Sequence, residues 1–454
     1  MQKKHFSLSA NPARVITGSF LGVIITGTLL LMLPLSAKNG AVTNFFDALF
    51  TATSATCVTG LIVVDTYTHW TFFGQGVILS LIQIGGLGLV TLTLFFNLLI
   101  RRKLGLRTLQ LAQESTSASN FEDTPRLLRG IVGISLIVEA IGAVLLLPAF
   151  VPKYGMGGIF ISVFTSVSAF CNAGFDLLGR EGPYSSLIHY NGSYVLLVVS
   201  ALIIIGGLGF MVLFDLLHYH KSKKLRLHSR VVLLSTACLL FIGTLGFAAL
   251  EWHNPATMGN LPVWQKLNAA FFQSVSTRTA GFNSIDIASM NEISKVLSIG
   301  LMFIGAAPGS TGGGIKVTTI VVLIMTAVSV ARGYDDTIIM KHKIKRQVVN
   351  KSLTVVFIGF LAVLLASGVI IYTTHDGGVT ASTVDALFES TSAFATVGLS
   401  SGITAIANLP SKLLLIATMF LGRIGPISFL LSLAAGSGKV NRKQVMPEGH
   451  LNVG

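Results

Sequence analysis

Four glycines recur along this chain, and each lies ten residues after a phenylalanine in a short apolar segment. The pairs are Phe50 and Gly60, Phe164 and Gly174, Phe271 and Gly281, and Phe388 and Gly398. Glycine adopts positive backbone dihedrals without a steric penalty, and its lack of a side chain lets backbones approach closely. Four such segments around one axis would present a ring of backbone oxygens, which can replace the water around a dehydrated cation.

The element before each glycine must position that ring. About ten helical residues span roughly 15 Å, which is half the thickness of the hydrocarbon core of a bilayer. Such a half-helix enters a membrane and returns as non-helical chain, which is tolerated there only when it is buried in protein or lines water. The C-terminal end of each half-helix also directs partial negative charge at the axis. Both features favour a cation, whereas one isolated glycine would more simply indicate helix packing.

The glycines are spaced by 114, 107 and 117 residues, so they divide the 454-residue chain into four quarters with the same element. Such self-similarity is the signature of an internal repeat. Each quarter reads as a spanning segment (M1), the half-helix (P) and a second spanning segment (M2). We therefore predict an all-α polytopic membrane protein, with eight transmembrane helices and four re-entrant half-helices around one pseudo-fourfold pore. The predicted repeats are 1–105, 106–225, 226–345 and 346–454.

The composition also indicates a membrane protein. Hydrophobic residues make up 52% of the chain and charged residues only 11%, whereas charged residues are about 25% of a typical soluble protein. Eight stretches approach the roughly 20 apolar residues that a spanning helix requires. They lie near 15–35, 74–100, 130–150, 193–217, 231–250, 295–331, 353–374 and 411–435.

The net charge of +14 could indicate nucleic-acid binding, but the positive-inside rule explains its distribution more economically. Of the 32 lysines and arginines, 23 lie near the termini and in alternate connections of the eight-span arrangement. We therefore expect no nucleic-acid partner, cytoplasmic termini, and outward-facing connections that carry the four glycine segments. The basic clusters lie in both terminal tails and in 101–129, 221–230 and 332–351.

Several polar residues flank the repeated segments. Asp47, Asp385 and Glu389 stand near the starts of their half-helices, where a carboxylate is a good cap for the positive helix end. Glu139 lies in the middle of a span and is a candidate for a buried hydrogen-bond partner. A serine lies six residues before the glycine in three quarters but five before it in the third, at Ser54, Ser168, Ser392 and Ser276.

The glycine segments resemble the filter strands of the potassium-transporter superfamily that contains bacterial Trk and Ktr and the plant and fungal uptake systems. That family builds four M1–P–M2 repeats in one chain, and Thr396-Val397-Gly398 resembles the filter of potassium channels. Some sodium-preferring relatives carry serine at the position of Gly60, so this glycine indicates potassium. The resemblance implies a filter of Val58, Thr59, Gly60, Asn172, Ala173, Gly174, Thr279, Ala280, Gly281, Thr396, Val397 and Gly398.

Eight spans without an additional N-terminal pair resemble the membrane subunit of bacterial Ktr systems rather than Trk. The resemblance implies potassium uptake across the bacterial plasma membrane, with sodium as the candidate coupling ion and no cofactor in this chain. It also implies a homodimer in the bilayer that binds a cytoplasmic ring of nucleotide-binding regulatory subunits. A sodium-permeable or weakly selective transporter of the same superfamily is the alternative.

A run rich in glycine and proline interrupts the sixth predicted span. Between Gly305 and Gly314, six residues are glycine or proline, which disfavours a continuous helix. The run does not fit a nucleotide P-loop, because Ile315 and not lysine follows Gly314. It resembles the intramembrane gate loop of Trk and Ktr proteins, and Arg423 in the eighth span resembles the arginine below their filters. The implied gate residues are Gly309, Ser310, Thr311, Gly312, Gly313, Gly314, Lys316 and Arg423.

Two alternatives to transport are an intramembrane enzyme and a structural or sensory membrane subunit. An intramembrane enzyme could use Ser310 as a nucleophile and the nearby Lys316 as its base, but the sequence offers no matching catalytic motif. A structural or sensory membrane subunit would conduct nothing and would tolerate changes at Gly60. The three cysteines, Cys57, Cys171 and Cys238, show no spacing of a disulfide framework or a zinc site.

Overall fold

The computed structural model describes residues 12–88, 91, 124–376 and 382–434. The predicted all-α class is confirmed, since the described chain is mainly helical and its strands, β1 (Ile338–Ile339) and β2 (His342–Lys343), form one small hairpin. The helices are α1 (Pro12–Met32), α2 (Phe45–Thr56), α3 (Thr66–His69), α4 (Phe72–Leu87), α5 (Thr124–Tyr154), α6 (Gly157–Phe170), α7 (Val195–Leu208), α8 (Phe210–Ser222), α9 (Leu227–Glu251), α10 (Val263–Ser276), α11 (Glu292–Phe303), α12 (Val317–Ala331), α13 (Arg346–Asp376), α14 (Thr383–Ala395), α15 (Ile403–Ile406), α16 (Leu409–Ile424) and α17 (Pro426–Ala434).

The first span of every quarter is one uninterrupted helix. These helices, α1, α5, α9 and α13, are long and apolar enough to cross a bilayer. Many of their large apolar side chains are exposed, as at Leu29, Ile141, Phe241 and Leu365, which suits contact with lipid. The four helices therefore form the outer scaffold on which the half-helices pack, and α5 and α9 pack extensively against α6 and α10.

The second spans contain more breaks than the one predicted in the sixth span. α7 and α8 meet at Gly209 with a bend of 98°, and α16 and α17 are separated at Gly425. α4 ends at Gly88, and the remainder of the predicted 74–100 span lies outside the described residues. In the third quarter, residues 304–316 separate α11 from α12. The sequence interpretation assigned a break to the third quarter alone, whereas the described second spans of the second and fourth quarters are interrupted as well.

The half-helices are short and end where the backbone turns left-handed. α2, α6, α10 and α14 contain 12 to 14 residues each. The side chain of Asn44 caps α2, and that of Ser382 caps α14. These caps correct the expected role of Asp47 and Asp385, whose carboxylates lie in the first turn and do not cap it. Residues with positive φ follow each half-helix and end it, at Val58, Asn172, Thr279 and Thr396.

The third quarter is shifted by one residue relative to the others. Phe50, Phe164 and Phe388 are fully buried, and in the third quarter Phe272 is the fully buried residue while Phe271 is half-buried. The expected ten-residue spacing from Phe271 is therefore wrong as a structural equivalence. Phe272 lies four residues before Ser276, as Phe50 lies four before Ser54, so the third segment has one residue fewer between its serine and its glycine.

Candidate ion-conducting site

The four repeated glycines form a closed ring. A Cβ built on Gly60 would meet the carbonyl oxygen of Ala173, and one built on Gly174 would meet that of Ala280. A Cβ on Gly281 would likewise meet the carbonyl oxygen of Val397, and one on Gly398 would meet that of Thr59. The last contact joins the fourth quarter to the first and closes the ring. Each glycine therefore abuts the carbonyl that precedes the glycine of the next quarter. A side chain at any of the four positions would therefore displace the neighbouring strand, whereas glycine lets the strands approach this closely.

The backbone of all four strands alternates in handedness. The glycines have φ between +70° and +94°, and the residues two positions earlier have φ between +51° and +65°. The residues between them do not have positive φ. This alternation turns successive carbonyl groups toward one side of the strand, whereas an ordinary β-strand points them to opposite sides. All twelve residues predicted to form the filter are buried.

Serine side chains fasten two of the strands to their half-helices. The amide of Gly60 donates to Ser54 Oγ at 3.1 Å, and the amide of Gly398 donates to Ser392 Oγ at 3.0 Å. In the shifted third quarter, Ser276 Oγ donates instead to the carbonyl of Phe282. Ser168 shares the six-residue spacing, but its Oγ is buried and has no hydrogen-bond partner among the described residues. The serine spacing noted in the sequence therefore does not by itself decide how a strand is held.

The side chains at the start of the strands differ between quarters. Val58, Asn172, Thr279 and Thr396 occupy equivalent positions two residues before the glycines. The Asn172 amide lies 3.2 Å from Thr279 Oγ1, which links the second and third strands. A Cβ on Gly312 would fall on Thr279 Oγ1, and one on Gly313 would fall on Thr396 Oγ1. The loop of residues 304–316 therefore lies directly against the ring at the end where the half-helices terminate.

Hydrogen bonds hold this loop across the breaks in the second spans. Phe210 donates its amide to the Gly309 carbonyl at 3.0 Å, and Ala307 donates to Gly207 at 3.0 Å. On the opposite side, Gly314 donates to the Gly422 carbonyl at 3.3 Å. Thr311 Oγ1 donates to the carbonyl of Phe170 at 3.1 Å, at the end of the second half-helix. The broken second spans thus provide the polar backbone groups that the loop needs within the membrane.

Arg423 connects three quarters at this level. Its guanidinium donates to the carbonyl of Thr311 in the loop and to that of Gly85 at the end of α4, with a weaker contact to Gly86 at 3.4 Å. Arg423 itself belongs to α16 of the fourth quarter. The side chain is half-buried and points at carbonyls, which agrees with the expectation that it faces the interior and does not extend toward the membrane surface.

Lys316 and Ser310, the other two polar side chains predicted in the loop, do not contact each other. Lys316 Nζ donates to the carbonyls of Gly312 at 2.6 Å and Gly313 at 3.4 Å. Ser310 Oγ is buried and has no hydrogen-bond partner among the described residues. Two cationic side chains, Lys316 and Arg423, therefore lie in or beside the loop below the ring.

A cavity of about 220 Å³ opens on the other side of the ring. Its wall includes the four glycines and the carboxylates of Asp65, Asp176 and Asp286. Asp65 accepts hydrogen bonds from the amides of Thr68 at 2.7 Å and Tyr184 at 3.2 Å. Burial raises the pKa of Asp176 to about 6, and the nearby Asp65 charge adds to the increase, while the amide of Leu178 opposes it. The ring therefore separates an acidic mouth from a basic loop.

The structure also shows contacts of Glu389 that the sequence interpretation missed. Glu389 does not cap its half-helix, because it lies inside α14 and accepts hydrogen bonds from residues 400–404. Each of three second spans also carries a glycine that packs on the carbonyl ending a half-helix, and Gly85, Gly206 and Gly422 meet Thr56, Phe170 and Phe394 in this way. The repeated Gly-x-x-Gly spacing marks these positions in the sequence, where the glycines at Gly85 and Gly206 are expected to allow close packing of the second spans.

Glu139 is confirmed as a buried hydrogen-bond partner. Gln83 Nε2 donates to both of its carboxylate oxygens, at 3.0 and 3.2 Å, from the neighbouring helix α4. Cys171, the first residue after the second half-helix, lies 3.9 Å from Glu139 Oε1. Gln83, Glu139 and Cys171 therefore connect α4, α5 and the start of the second strand of the ring.

Comparisons with known proteins agree with this geometry. The family model described as "TrkH: Cation transport protein" matches residues 3–443. The chain is 40% identical to the Ktr system potassium uptake protein B of Bacillus subtilis, over 93% of each chain. It is 36% identical to the potassium/sodium uptake protein NtpJ of Enterococcus hirae, over the full length of both.

A solved structure supports the fold independently. The crystal structure of the potassium transporter TrkH from Vibrio parahaemolyticus superposes with a TM-score of 0.69, covering 95% of this chain and 86% of the other, at 20% sequence identity. The family model matches most of this chain, and the relatives are similar to it over nearly their full length. These two findings establish the family. This chain belongs to the TrkH family of cation transport proteins.

Proposed function

We propose that this protein takes up potassium across the bacterial plasma membrane through the ring of four glycine strands. The observation that carries the proposal is the ring itself, in which each glycine abuts a carbonyl of the next quarter. A ring of backbone oxygens can replace the hydration shell of a cation that has no room to keep its water. The relatives named for potassium uptake and for potassium/sodium uptake support the same cargo and make sodium the candidate coupling ion.

The loop beneath the ring serves as the gate in this proposal. Gly312 and Gly313 lie against the threonine side chains of two strands, so an ion leaving the ring meets the loop backbone first. Arg423 and Lys316 add positive charge at the same level, which opposes the passage of a cation. Opening requires the loop to move away, and the hydrogen bonds of Arg423 to Thr311 and Gly85 must then break or change partners.

We propose the membrane orientation from the distribution of charges. The acidic mouth, with Asp65, Asp176 and Asp286, faces outward in this proposal, and the basic connections face the cytoplasm. Of those connections, 221–230 and 332–351 are described, as are residues 124–129 and Arg14 of the N-terminal cluster, while 101–123, Lys3, Lys4 and the C-terminal cluster lie outside the described residues. The names of the Ktr-system relatives support assembly with other components, for which we propose a homodimer on a cytoplasmic ring of nucleotide-binding subunits.

The geometry gives no support to catalysis by Ser310. A nucleophilic serine needs its base within hydrogen-bond reach. Lys316, which would serve as that base, donates instead to the carbonyls of Gly312 and Gly313. The intramembrane enzyme considered from the sequence is therefore disfavoured relative to transport.

Transport is tested by reconstituting the chain in liposomes and recording potassium and sodium uptake, each with and without the other ion. We expect potassium-selective uptake by the wild type and loss of that selectivity in Gly60→Ser, because a side chain there meets the Ala173 carbonyl at positive φ. Gly18→Ser in α1 is the matched control, since a Cβ at Gly18 has no neighbour within 4 Å among the described residues. Absence of potassium uptake, or unchanged selectivity in Gly60→Ser, would contradict the proposal.

A further inference from the structure

A buried carboxylate lies beside the outer end of the fourth filter strand. Glu389 is fully buried inside the half-helix α14, one residue after the buried Phe388. The equivalent residues of the other quarters, Thr51, Thr165 and Gln273, carry no charge. The fourth quarter is therefore distinguished by a single acidic side chain at a position where the others are neutral.

The carboxylate of Glu389 accepts hydrogen bonds from the chain that leaves the ring. Oε1 accepts from Ser400 Oγ at 2.7 Å, from the amide of Thr404 at 2.9 Å and from the Thr404 hydroxyl. Oε2 accepts from the amide of Ser401 at 3.1 Å. Ser400, Ser401 and Gly402 in turn line the mouth cavity. The segment 400–404, only two residues beyond Gly398, is thus fixed to the half-helix by one side chain.

Only a carboxylate satisfies this set of donors. An ionised carboxylate accepts at both oxygens, whereas an amide has one acceptor and one donor end. A glutamine in this place would direct its NH₂ group at the backbone amide of either Ser401 or Thr404, because each oxygen of Glu389 faces one of them. Neither backbone donor can rotate away, so one of them would be left without an acceptor.

We propose that Glu389 is a positioning residue for ion selectivity, which holds the outer end of the fourth filter strand through segment 400–404. The inference rests on the proposed potassium transport through the ring. Gly398 closes the ring against Thr59, so a loosened fourth strand changes the contact between the last and first quarters. A displaced filter strand moves carbonyl oxygens that replace the hydration shell of the ion, and ion selectivity depends on the arrangement of those oxygens.

Glu251 provides a matched control. It is also fully buried, and its carboxylate accepts from Asn254 Nδ2 at 2.7 Å, from Thr257 Oγ1 at 2.6 Å and from the amide of Asn291 at 2.9 Å. These contacts lie at the end of α9 and do not involve the ring. Glu251→Gln therefore tests whether disturbing any buried, fully bonded glutamate alters selectivity.

The experiment measures potassium and sodium uptake by Glu389→Gln, Glu251→Gln and wild type in the same liposomes. We expect Glu389→Gln to lower the potassium-to-sodium ratio by about tenfold, from the loss of charge-assisted hydrogen bonds, while Glu251→Gln keeps the wild-type ratio. If Glu389→Gln does not insert, the double variant Ser400→Ala, Thr404→Val removes two hydroxyl donors and keeps both backbone bonds, and we expect a smaller loss of selectivity.

The possible results separate the positioning role of Glu389 from the proposed transport of potassium. A wild-type ratio in Glu389→Gln, or in the double variant where only that one inserts, overturns the positioning role and leaves potassium transport intact. An equal loss of selectivity in Glu251→Gln also overturns it, because the effect would then follow from general destabilisation. A wild-type protein that moves no potassium would overturn the proposed function and this inference together.

Discussion

Lys412 Nζ lies 2.8 Å from Asp47 Oδ1, although 365 positions separate the two residues in the chain. The pair joins the second span of the fourth quarter to the half-helix of the first, and so closes the ring of quarters outside the glycine strands. Lys295 and Asp385 make the same contact at 2.8 Å between the third and fourth quarters. Each lysine is the fourth residue of its helix, and each aspartate is the third residue of its half-helix.

Breaking the closing pair should destabilise the fold. Lys412 and Asp47 side chains are 18% and 26% exposed, between a buried and a surface ion pair. We therefore expect Lys412→Met to lower the free energy of unfolding by about 1 to 3 kcal/mol. The exposed pair of Lys343 and Asp336 is the control, and Lys343→Met should cost less than about 1 kcal/mol. Thermal unfolding in detergent measures both, and equal effects would show that the closing pair has no special role.

The double variant Asp47→Asn, Lys412→Met isolates the interaction itself. If the two side chains stabilise the protein through each other, the combined loss is smaller than the sum of the two single losses. Additive losses would mean that each residue acts separately, for example Asp47 through the positive end of α2.

The sequence predicted the repeated elements well because they depend on local composition. A glycine with positive φ after an apolar half-helix is specified by a few neighbouring residues, and all four strands lie where the glycines placed them. The first spans were also predictable, since an uninterrupted apolar stretch has few other structures available to it. The break at Gly209 was missed because an apolar run continues through it. The break at Gly425 did have a local signal, because Pro426 follows the glycine directly and a Gly-Pro pair disfavours a continuous helix.

Contacts between quarters could not be predicted in the same way. Asp-Ala-Leu-Phe occurs in the first and fourth quarters alone, but capping explained its aspartate as well as an ion pair would. The lysine partners lie on other helices, at distances that no local pattern encodes. The choice of Phe271 over Phe272 failed for a related reason, because Phe271 fits the ten-residue spacing while Phe272 lies only nine residues before Gly281. Burial shows that Phe272 is nevertheless the equivalent residue.

The glycines of the loop lead to a prediction of increased flux. A Cβ on Gly313 would fall on Thr396 Oγ1, so we expect Gly313→Ala to shift the loop away from the ring. We expect severalfold faster potassium uptake without the regulatory partner and a wild-type potassium-to-sodium ratio, because Ser54 and Ser392 still fasten their strands. Liposome uptake measures both quantities.

Gly300→Ala is the matched control for the loop variant. Gly300 lies in α11, just before the same loop, and a Cβ there has no described neighbour within 4 Å. Its uptake should equal that of the wild type. Slower uptake in Gly313→Ala than in the wild type would show that the loop does not act as the barrier.

The acidic mouth predicts a dependence on external pH. The pKa of Asp176 is raised to about 6, chiefly by burial, so this carboxyl is charged at pH 7 and neutral below about pH 5. Asp65, Asp286 and Tyr184 also line the cavity that it faces. Because a carboxylate attracts cations to the mouth, we expect the apparent affinity for potassium to fall as external pH decreases through about 6. Uptake at several potassium concentrations between about pH 5 and 7.5 measures this change.

Two variants assign this pH dependence to one residue. Asp176→Asn should have a lower apparent affinity at pH 7 and little change on acidification, since its mouth has lost the group that titrates near pH 6. Asp286→Asn should also lower the affinity but keep the decrease near pH 6.

The raised pKa of Asp176 has the opposite effect on folding stability, because the native state binds the proton more tightly than the unfolded chain does. Asp176 therefore reduces stability as pH rises from about 4 to about 6, and Asp176→Asn should remove that decrease. A decrease in the apparent potassium affinity near pH 6 that persists in Asp176→Asn would contradict the assignment of the pH dependence to Asp176.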